Sequence, residues 1–570
     1  MEKINFNYSL KNIPIPAKDN YIKCFIGKEE SLIRHMRWKA VFFDKNENDN
    51  ELMQGQTYGF NSEKTPPQNS ALTPFEDDLY ALMNSIKFSQ HQSEFQQQLS
   101  KDRKKIQTSP CIFVPADKTT NVYKVPVNEY KKLLSNNVTA NYKKAEEDLQ
   151  LSINQEAREI ATQYSLENRI ECLAKREAFL TLKDHKDNFE NNPKCRLLNP
   201  CKSEIGVISK HHLQEINNSI REKTLLLQWK NTDSVLTWFT GIKSKHSKRF
   251  LQMDIVDFYP SISEQLLHKA ITYAKTLVPI DQRTVDLIFH TRKSLLFTSD
   301  GTWVKKSGSI FDVTMGSYDG AEICELVGLY LLHLIKIALP TFDFGLYRDD
   351  GLGCYDIMPG PQTERTKKVI TKIFKENGFS ITIDMNLLLA NFLDVSLDMK
   401  TCKFKPFRKP LDKPLYINTK SNHPPTIIKE IPKMVQKRLS QLSSTVDEFE
   451  NAKPDYCEAL SKSGFEGNIT FEKPAKKKRK RKKNIIWFNP PYNVAVETNI
   501  GKRFLSLVDK HFPKHHKYNK IFNRTTLKLN YSCTPNIKTI ISSHNKKSLM
   551  KRMVQHKQVY ATVKTALNAH

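Results

Sequence analysis

The 570-residue sequence has ten cysteines and no C-x-x-C pair among them. That excludes a disulfide-dense scaffold and a zinc ribbon, and makes a reduced, intracellular protein the expectation. It has no apolar segment in its opening MEKINFNYSLKNIP, so no secretory leader is expected. Long hydrophobic runs are also missing. The longest, residues 323–339, is interrupted by Glu325, His333 and Lys336 on one helical face, which reads as a partly buried helix of a soluble protein and not as a membrane span. No internal repeat is present. Acidic residues are scarce in one part of the chain: residues 401–570 hold 36 Lys and Arg against 11 Asp and Glu. The first 400 residues are nearly neutral, with 53 against 50.

What is there begins with that asymmetry. A basic C-terminal third on a balanced body is the electrostatic footprint of a protein that grips a phosphate backbone. At its centre lie eight consecutive cations, Lys476, Lys477, Lys478, Arg479, Lys480, Arg481, Lys482 and Lys483. Such a run cannot fold alone and reads as a solvated linker, a nucleic-acid-binding tract or a nuclear-import signal. Nuclear localisation after cytoplasmic synthesis is therefore expected, with no membrane partner.

The texture along the chain divides it into a helical N-terminal region (1–110), a mixed α+β body (111–410), an amphipathic helical stretch (411–470), a basic linker (471–483) and a basic, aromatic-rich C-terminal region (484–570). CIFVPADKTTNVYKV reads as strands broken at Pro115, and the stretch from Cys172 to Gly206 as strand, exposed basic loop, strand. A helix is expected over Lys210–Trp238. Beyond it the order strand, helix, helix, hairpin, helix, strand suggests a split βαβ sheet with helices on one face.

Two places in that body carry carboxylates of interest. FGLYRDDGLG puts Asp349 and Asp350 side by side in a hairpin pattern, and LQMDIVDFYPSI ends an apolar strand at Asp254. As a solvated Asp-Gly turn and a strand terminus these would be ordinary. If the two strands neighbour each other, three carboxylates converge on one sheet edge. Like charges there repel unless divalent cations share them, and such carboxylates can hold two Mg²⁺ ions about 4 Å apart for in-line attack of a hydroxyl on phosphorus.

DIVDFYPSI, TMGSYDGAE, YRDDGLG and NFLDVSL, in that order and spacing, resemble the palm motifs of reverse transcriptases. VPADKTTNVY, FLTLKDHKDNF, CRLLNPCKSEIG, YINTKSNHPP and TNIGKRFLSLVDKHFPKHHK resemble Penelope-like retroelement proteins, so the similarity runs from about residue 10 to about 550. The resemblance implies a right-hand polymerase: fingers and palm over 111–410, a thumb over 411–470, and RNA-templated addition of deoxynucleoside triphosphates to a DNA primer. Asp254, Asp349 and Asp350 would be the catalytic residues and the ligands of two Mg²⁺ (or Mn²⁺) ions. Tyr259 would stand against the sugar of the incoming nucleotide and exclude a 2′-hydroxyl, with a core tyrosine as the alternative. Gly316 would let the backbone approach the nucleotide and template. Lys183, Lys186 and Arg196 match fingers cations that clamp the triphosphate.

The sequence also departs from the family pattern. Leu388 stands where related sequences often carry a lysine assigned to protonating the pyrophosphate leaving group, and the loop after Gly316 reads Ser-Tyr-Asp-Gly. No GIY-YIG nuclease motif is found, so a pre-existing 3′-end is expected to be needed. The rival expectation is a domesticated, catalytically weak or inactive nucleic-acid-binding protein that keeps the fold. An RNA-templated RNA polymerase is disfavoured by Tyr259.

Overall fold

The computed structural model describes residues 1–4, 13–15, 21–44, 58–61, 63–89, 93–117, 119, 121–171, 176–200, 203–314, 316–408, 414–472 and 485–549. Its centre is the alternation in KRFLQMDI. In an extended strand, Leu251, Met253 and Ile255 fall on one face and Phe250, Gln252 and Asp254 on the other. In chain order the elements around it are β1 (Leu227–Gln228), β2 (Lys248–Ile255), α1 (Glu264–Leu277), α2 (Gly320–Ala338), β3 (Asp343–Tyr347), β4 (Asp350–Asp356), α3 (Gly360–Glu376) and β5 (Ile381–Leu387). The five strands form one sheet in the order β5-β2-β4-β3-β1. β2 pairs antiparallel with β4 and β5, β3 and β4 form a hairpin, and β1 lies parallel to β3. The α+β class and the split βαβ sheet are those expected from the sequence.

The three helices cover one face. Leu251, Met253 and Ile255 pack there with Leu267 and Ile271 of α1, Ile323, Val327 and Leu331 of α2, and Ile370 and Phe374 of α3, all buried. At about 1.5–3 kcal/mol for each large side chain withdrawn from water, this is the largest stabilising term in the body. As expected of a partly buried helix, Glu325 and His333 are half-buried and Lys336 is exposed on α2.

The opposite face is covered only in part. Phe250, Leu352 and Cys354 pack on Trp229, on Val235 and Phe239 of the helix Thr232–Gly241, and on Ala390, Phe392 and Leu397 of a separate three-stranded sheet. That cover stops before Gln252, Asp254 and Asp350, which remain partly or fully exposed. One end of the sheet therefore has a helix-backed floor and an open upper side.

One expectation needs correction. The helix expected over Lys210–Trp238 is two helices, Ile205–Thr224 and Thr232–Gly241. Leu225 ends the first in a left-handed conformation (φ 56°), and Leu227–Gln228 gains more as an edge strand on β3 than as helix. The amphipathic helical stretch expected over 411–470 contains two helices, Pro425–Leu442 and Val446–Lys462, the second capped by the Thr445 side chain.

Regions far apart in sequence share one core. Phe25, Leu32 and Met36 of helix Tyr21–Asp44, and Phe75 and Leu79 of helix Thr73–Asn84, pack with Phe504 and Val508 of helix Ile500–His511, and with Phe512 and Phe522. Lys510 and His511 both reach Asp78, at 2.6 and 2.7 Å. Among the described residues no helix is long and apolar enough to cross a membrane.

Candidate active site

The open end of the sheet is where the sequence-expected carboxylates lie. Asp254 and Asp350 are direct cross-strand partners between β2 and β4. Both belong to the face opposite the helices, so their Cβ atoms stand about 4.5–5.5 Å apart. Asp349 occupies the turn of the β3-β4 hairpin, where its carbonyl accepts the Ile255 amide at 3.0 Å. The turn falls at Arg348-Asp349, not at Asp350-Gly351: Tyr347 pairs with Asp350, and Arg348 takes a positive φ of 56°. Gly351 is a strand residue. A Cβ there would lie 2.6 Å from Met253 Cγ and 2.8 Å from Phe344 Cζ, so glycine lets β4 lie close over the large side chains of its neighbours. Facing like charges cost cross-strand stability. Stability alone gives no reason to place aspartates at both positions.

In donor chemistry the carboxylates suit hard divalent cations. Among the described residues no three Asp, Glu, His or Cys side chains already converge on one point. Mg²⁺ is commonly bound through one or two carboxylates, keeping waters and substrate oxygens for the rest of its shell, and the facing Asp254 and Asp350 offer such a pair.

Beside the carboxylates a short helix, Phe258–Ser261, brings Tyr259 to the floor of a cavity of about 640 Å³. The tyrosine is half-buried and packs against the main core. Burial holds its phenol well above the ordinary range, with the neighbouring Cys324 thiol adding to the shift. Its ring edge would lie 3.7 Å from a Cβ at Gly320, the first residue of α2. The core alternative for Tyr259 is thus met by its packing, while the same residue also lines the cavity.

Lys183 and Arg196 line the same cavity, from the antiparallel strands Phe179–Leu182 and Cys195–Leu198 and the residue after them. Arg196 is held by Asp117 at 3.1 Å. Lys186 is exposed in the connecting turn and does not line the cavity. Gly316 has a φ of 116°, which favours glycine, and a Cβ there would approach the Asn199 carbonyl at 3.5 Å. Lys476–Lys483 lie outside the described residues.

Leu388 does not stand at this site. β5 meets the carboxylate end of β2 through Thr382, the partner of Asp254, whereas Leu387 pairs with Phe250, four residues back. At 3.3 Å per residue that is about 13 Å along the strand.

Several contributors were not singled out from the sequence. Asp184 accepts hydrogen bonds on one carboxylate oxygen from Thr119 (2.6 Å), Asn121 (2.7 Å) and Tyr123 (3.2 Å), fastening those three residues to the segment that carries Lys183. Asp319, at the start of α2, is buried and accepts from Ser209 (2.6 Å) and Thr291 (2.8 Å) while pairing with the fully buried Arg292. This network fixes the segment just after Gly316. The clue in each case was an acid within an otherwise basic or small-residue motif, and its partners lie 27 to 110 residues away.

The sequence matches no family profile and no curated protein. Among solved structures the chain is similar to apo telomerase from Candida tropicalis, at 10% identity and a TM-score of 0.41 over 78% of this chain and 86% of that one. It is also similar to that telomerase truncated from its C-terminal domain (11%, TM-score 0.37), covering 52% of this chain and spanning 63% of the other's length. A third likeness is to the RNA-dependent RNA polymerase of a human picobirnavirus, at 11% identity and a TM-score of 0.35 over 72% and 86% of the two chains.

Proposed function

We propose that the chain is a template-directed nucleic-acid polymerase, and more finely an RNA-directed DNA polymerase of a Penelope-like retroelement. The observation that carries the reading is the pairing of Asp254 with Asp350, Asp349 adjacent, on an uncovered sheet end beside a cation-lined cavity. In the reaction the primer 3′-hydroxyl attacks the α-phosphorus of a nucleoside triphosphate, a phosphodiester forms, the bond to the β-phosphate breaks, and pyrophosphate leaves with the hydroxyl proton passed to solvent or a nearby base. Asp254, Asp349 and Asp350 would hold two Mg²⁺ or Mn²⁺ ions, which when bound lower the hydroxyl pKa and neutralise charge on the phosphoryl oxygens. Lys183 and Arg196 would bind the triphosphate, and Tyr259 would meet the sugar and favour deoxynucleotides. An RNA template and DNA primer would be gripped by phosphate contacts, with Lys476–Lys483 adding affinity and a nuclear address.

The rival reading, a binding protein without turnover, draws on Leu388 and on the missing nuclease motif, and the residue beside Leu388 pairs with Phe250, away from the carboxylates. Primer extension on poly(rA)-oligo(dT), with dTTP and UTP in separate reactions, tests the proposal. Mg²⁺-dependent extension with dTTP and little with UTP is expected. No extension with either, from protein that binds the template-primer, would refute it.

A further inference from the structure

The cavity beside Tyr259 is walled by more cations than the sequence pattern indicates. Besides Lys183 and Arg196 it is lined by Lys305 and Lys306, at the end of the strand Gly301–Lys305, against two acids, Asp257 and Asp312. Two of the four cations are already committed: Arg196 to Asp117 at 3.1 Å and Lys305 to Asp312 at 2.6 Å. Lys183 and Lys306 have no acidic partner among the described residues. The Lys306 backbone is nonetheless fixed, since its amide donates to the Asn141 carbonyl at 3.0 Å, at the end of the helix Val127–Asn141. The preceding strand pairs with Tyr142–Lys144. An uncommitted ammonium on an anchored backbone, in a cavity that already holds three other cations, has an anion as its natural complement.

The volume, about 640 Å³, is within the range of small-molecule sites. Tyr259 and Asp257 on its floor set it beside the carboxylate edge. We propose that Lys306 is a phosphate-contacting residue of this cavity that sets affinity for the triphosphate of the incoming nucleotide and not for template or primer. Naming the ligand as the incoming nucleotide rests on the polymerase reading. The anion site itself rests on the cavity alone.

Two measurements on the full chain keep those apart. The first is binding of inorganic tripolyphosphate to the free protein. The unmodified chain should bind it, Lys306→Gln should bind about tenfold more weakly, the size of one charge-assisted hydrogen bond lost, and Lys306→Arg should bind nearly as the parent does. The second is single-nucleotide extension. Lys306→Gln should raise KM for dTTP about tenfold with kcat and template-primer affinity within twofold. The substitution keeps the amide that donates to Asn141, so the fold is expected to persist, and an unchanged circular dichroism spectrum checks this. Tripolyphosphate binding that is absent, or equal in parent and Lys306→Gln, overturns the anion site. A loss of template-primer affinity equal to the rise in KM reassigns Lys306 to strand binding and also overturns the proposal. Failure of the parent to extend any primer while tripolyphosphate binding still depends on Lys306 would refute the polymerase reading and leave the anion site standing.

Discussion

At the scale of single residues the site is built from side chains that stability alone would not choose. Asp254 opposite Asp350 is a like-charge pair, and Tyr259 presents one ring edge to the core and the other to a polar cavity. Tyr259→Ala should therefore do two things at once: lower stability by about 3 kcal/mol or less, for a half-buried ring, and raise ribonucleotide incorporation relative to deoxynucleotide. Competition between dTTP and UTP on one template reads the second effect, and unchanged sugar selectivity would make Tyr259 a packing residue only. Gly351→Ala should destabilise the body by roughly 1–3 kcal/mol, the usual cost of overpacking, because Met253 and Phe344 leave its Cβ no room. Urea denaturation would show this as a lower midpoint at constant slope.

At the scale of elements, the networks that hold loops in place carry consequences of their own. Asp319→Leu would strand the fully buried Arg292 and should cost about 3–5 kcal/mol, whereas replacing Asp319 and Arg292 together by apolar residues should cost much less. A double-mutant cycle in thermal unfolding measures the difference. Glu29 makes the opposite case. It is buried on helix Tyr21–Asp44 with neither carboxylate oxygen hydrogen-bonded, and burial, helped by Glu30, pushes it up to about 8. The unfolded carboxyl ionises near its ordinary value, so between that value and pH 8 the folded state binds more protons and stability falls as pH rises. Glu29→Gln should accordingly raise Tm by more at pH 8 than at pH 4.5, and equal gains would show that the buried carboxyl is not penalised. The five-stranded sheet was legible in the sequence because its signals are local: alternation in β2, the hairpin of β3 and β4, the amphipathic α3. The break at Leu225 was not, since the short strand β1 exists only because β3 offers it an edge. The separation of Leu387 from the carboxylate end of β2 was not legible for a similar reason, because strand register is a tertiary fact that a linear motif does not carry.

At the scale of the whole molecule, the N-terminal helices and the segment after residue 485 form one hydrophobic core although more than 400 residues of chain separate them. Nothing local in either segment announces this, since each reads as an amphipathic surface awaiting a partner. Introducing a protease site into the basic tract and cutting it should leave the two fragments co-eluting from a size-exclusion column in native buffer, and separating only in denaturant. Fragments that part in native buffer would contradict the shared core. Changing Lys476–Lys483 to Gln should flatten the dependence of nucleic-acid affinity on salt, as fewer counterions are released, and lower nuclear accumulation of a tagged chain. An unchanged salt slope with unchanged distribution would make the tract a spacer. The central claim is that the carboxylates at the open sheet end are a catalytic centre. The measurement that tests it most directly is single-turnover primer extension by Asp254→Asn and Asp349→Asn beside the parent chain, with template-primer affinity measured on the same preparations. The account predicts extension reduced by about a thousandfold or more with affinity within twofold, because the carboxylates stabilise charge in the transition state while binding comes from phosphate contacts elsewhere. Extension at the parental rate by either variant would contradict it.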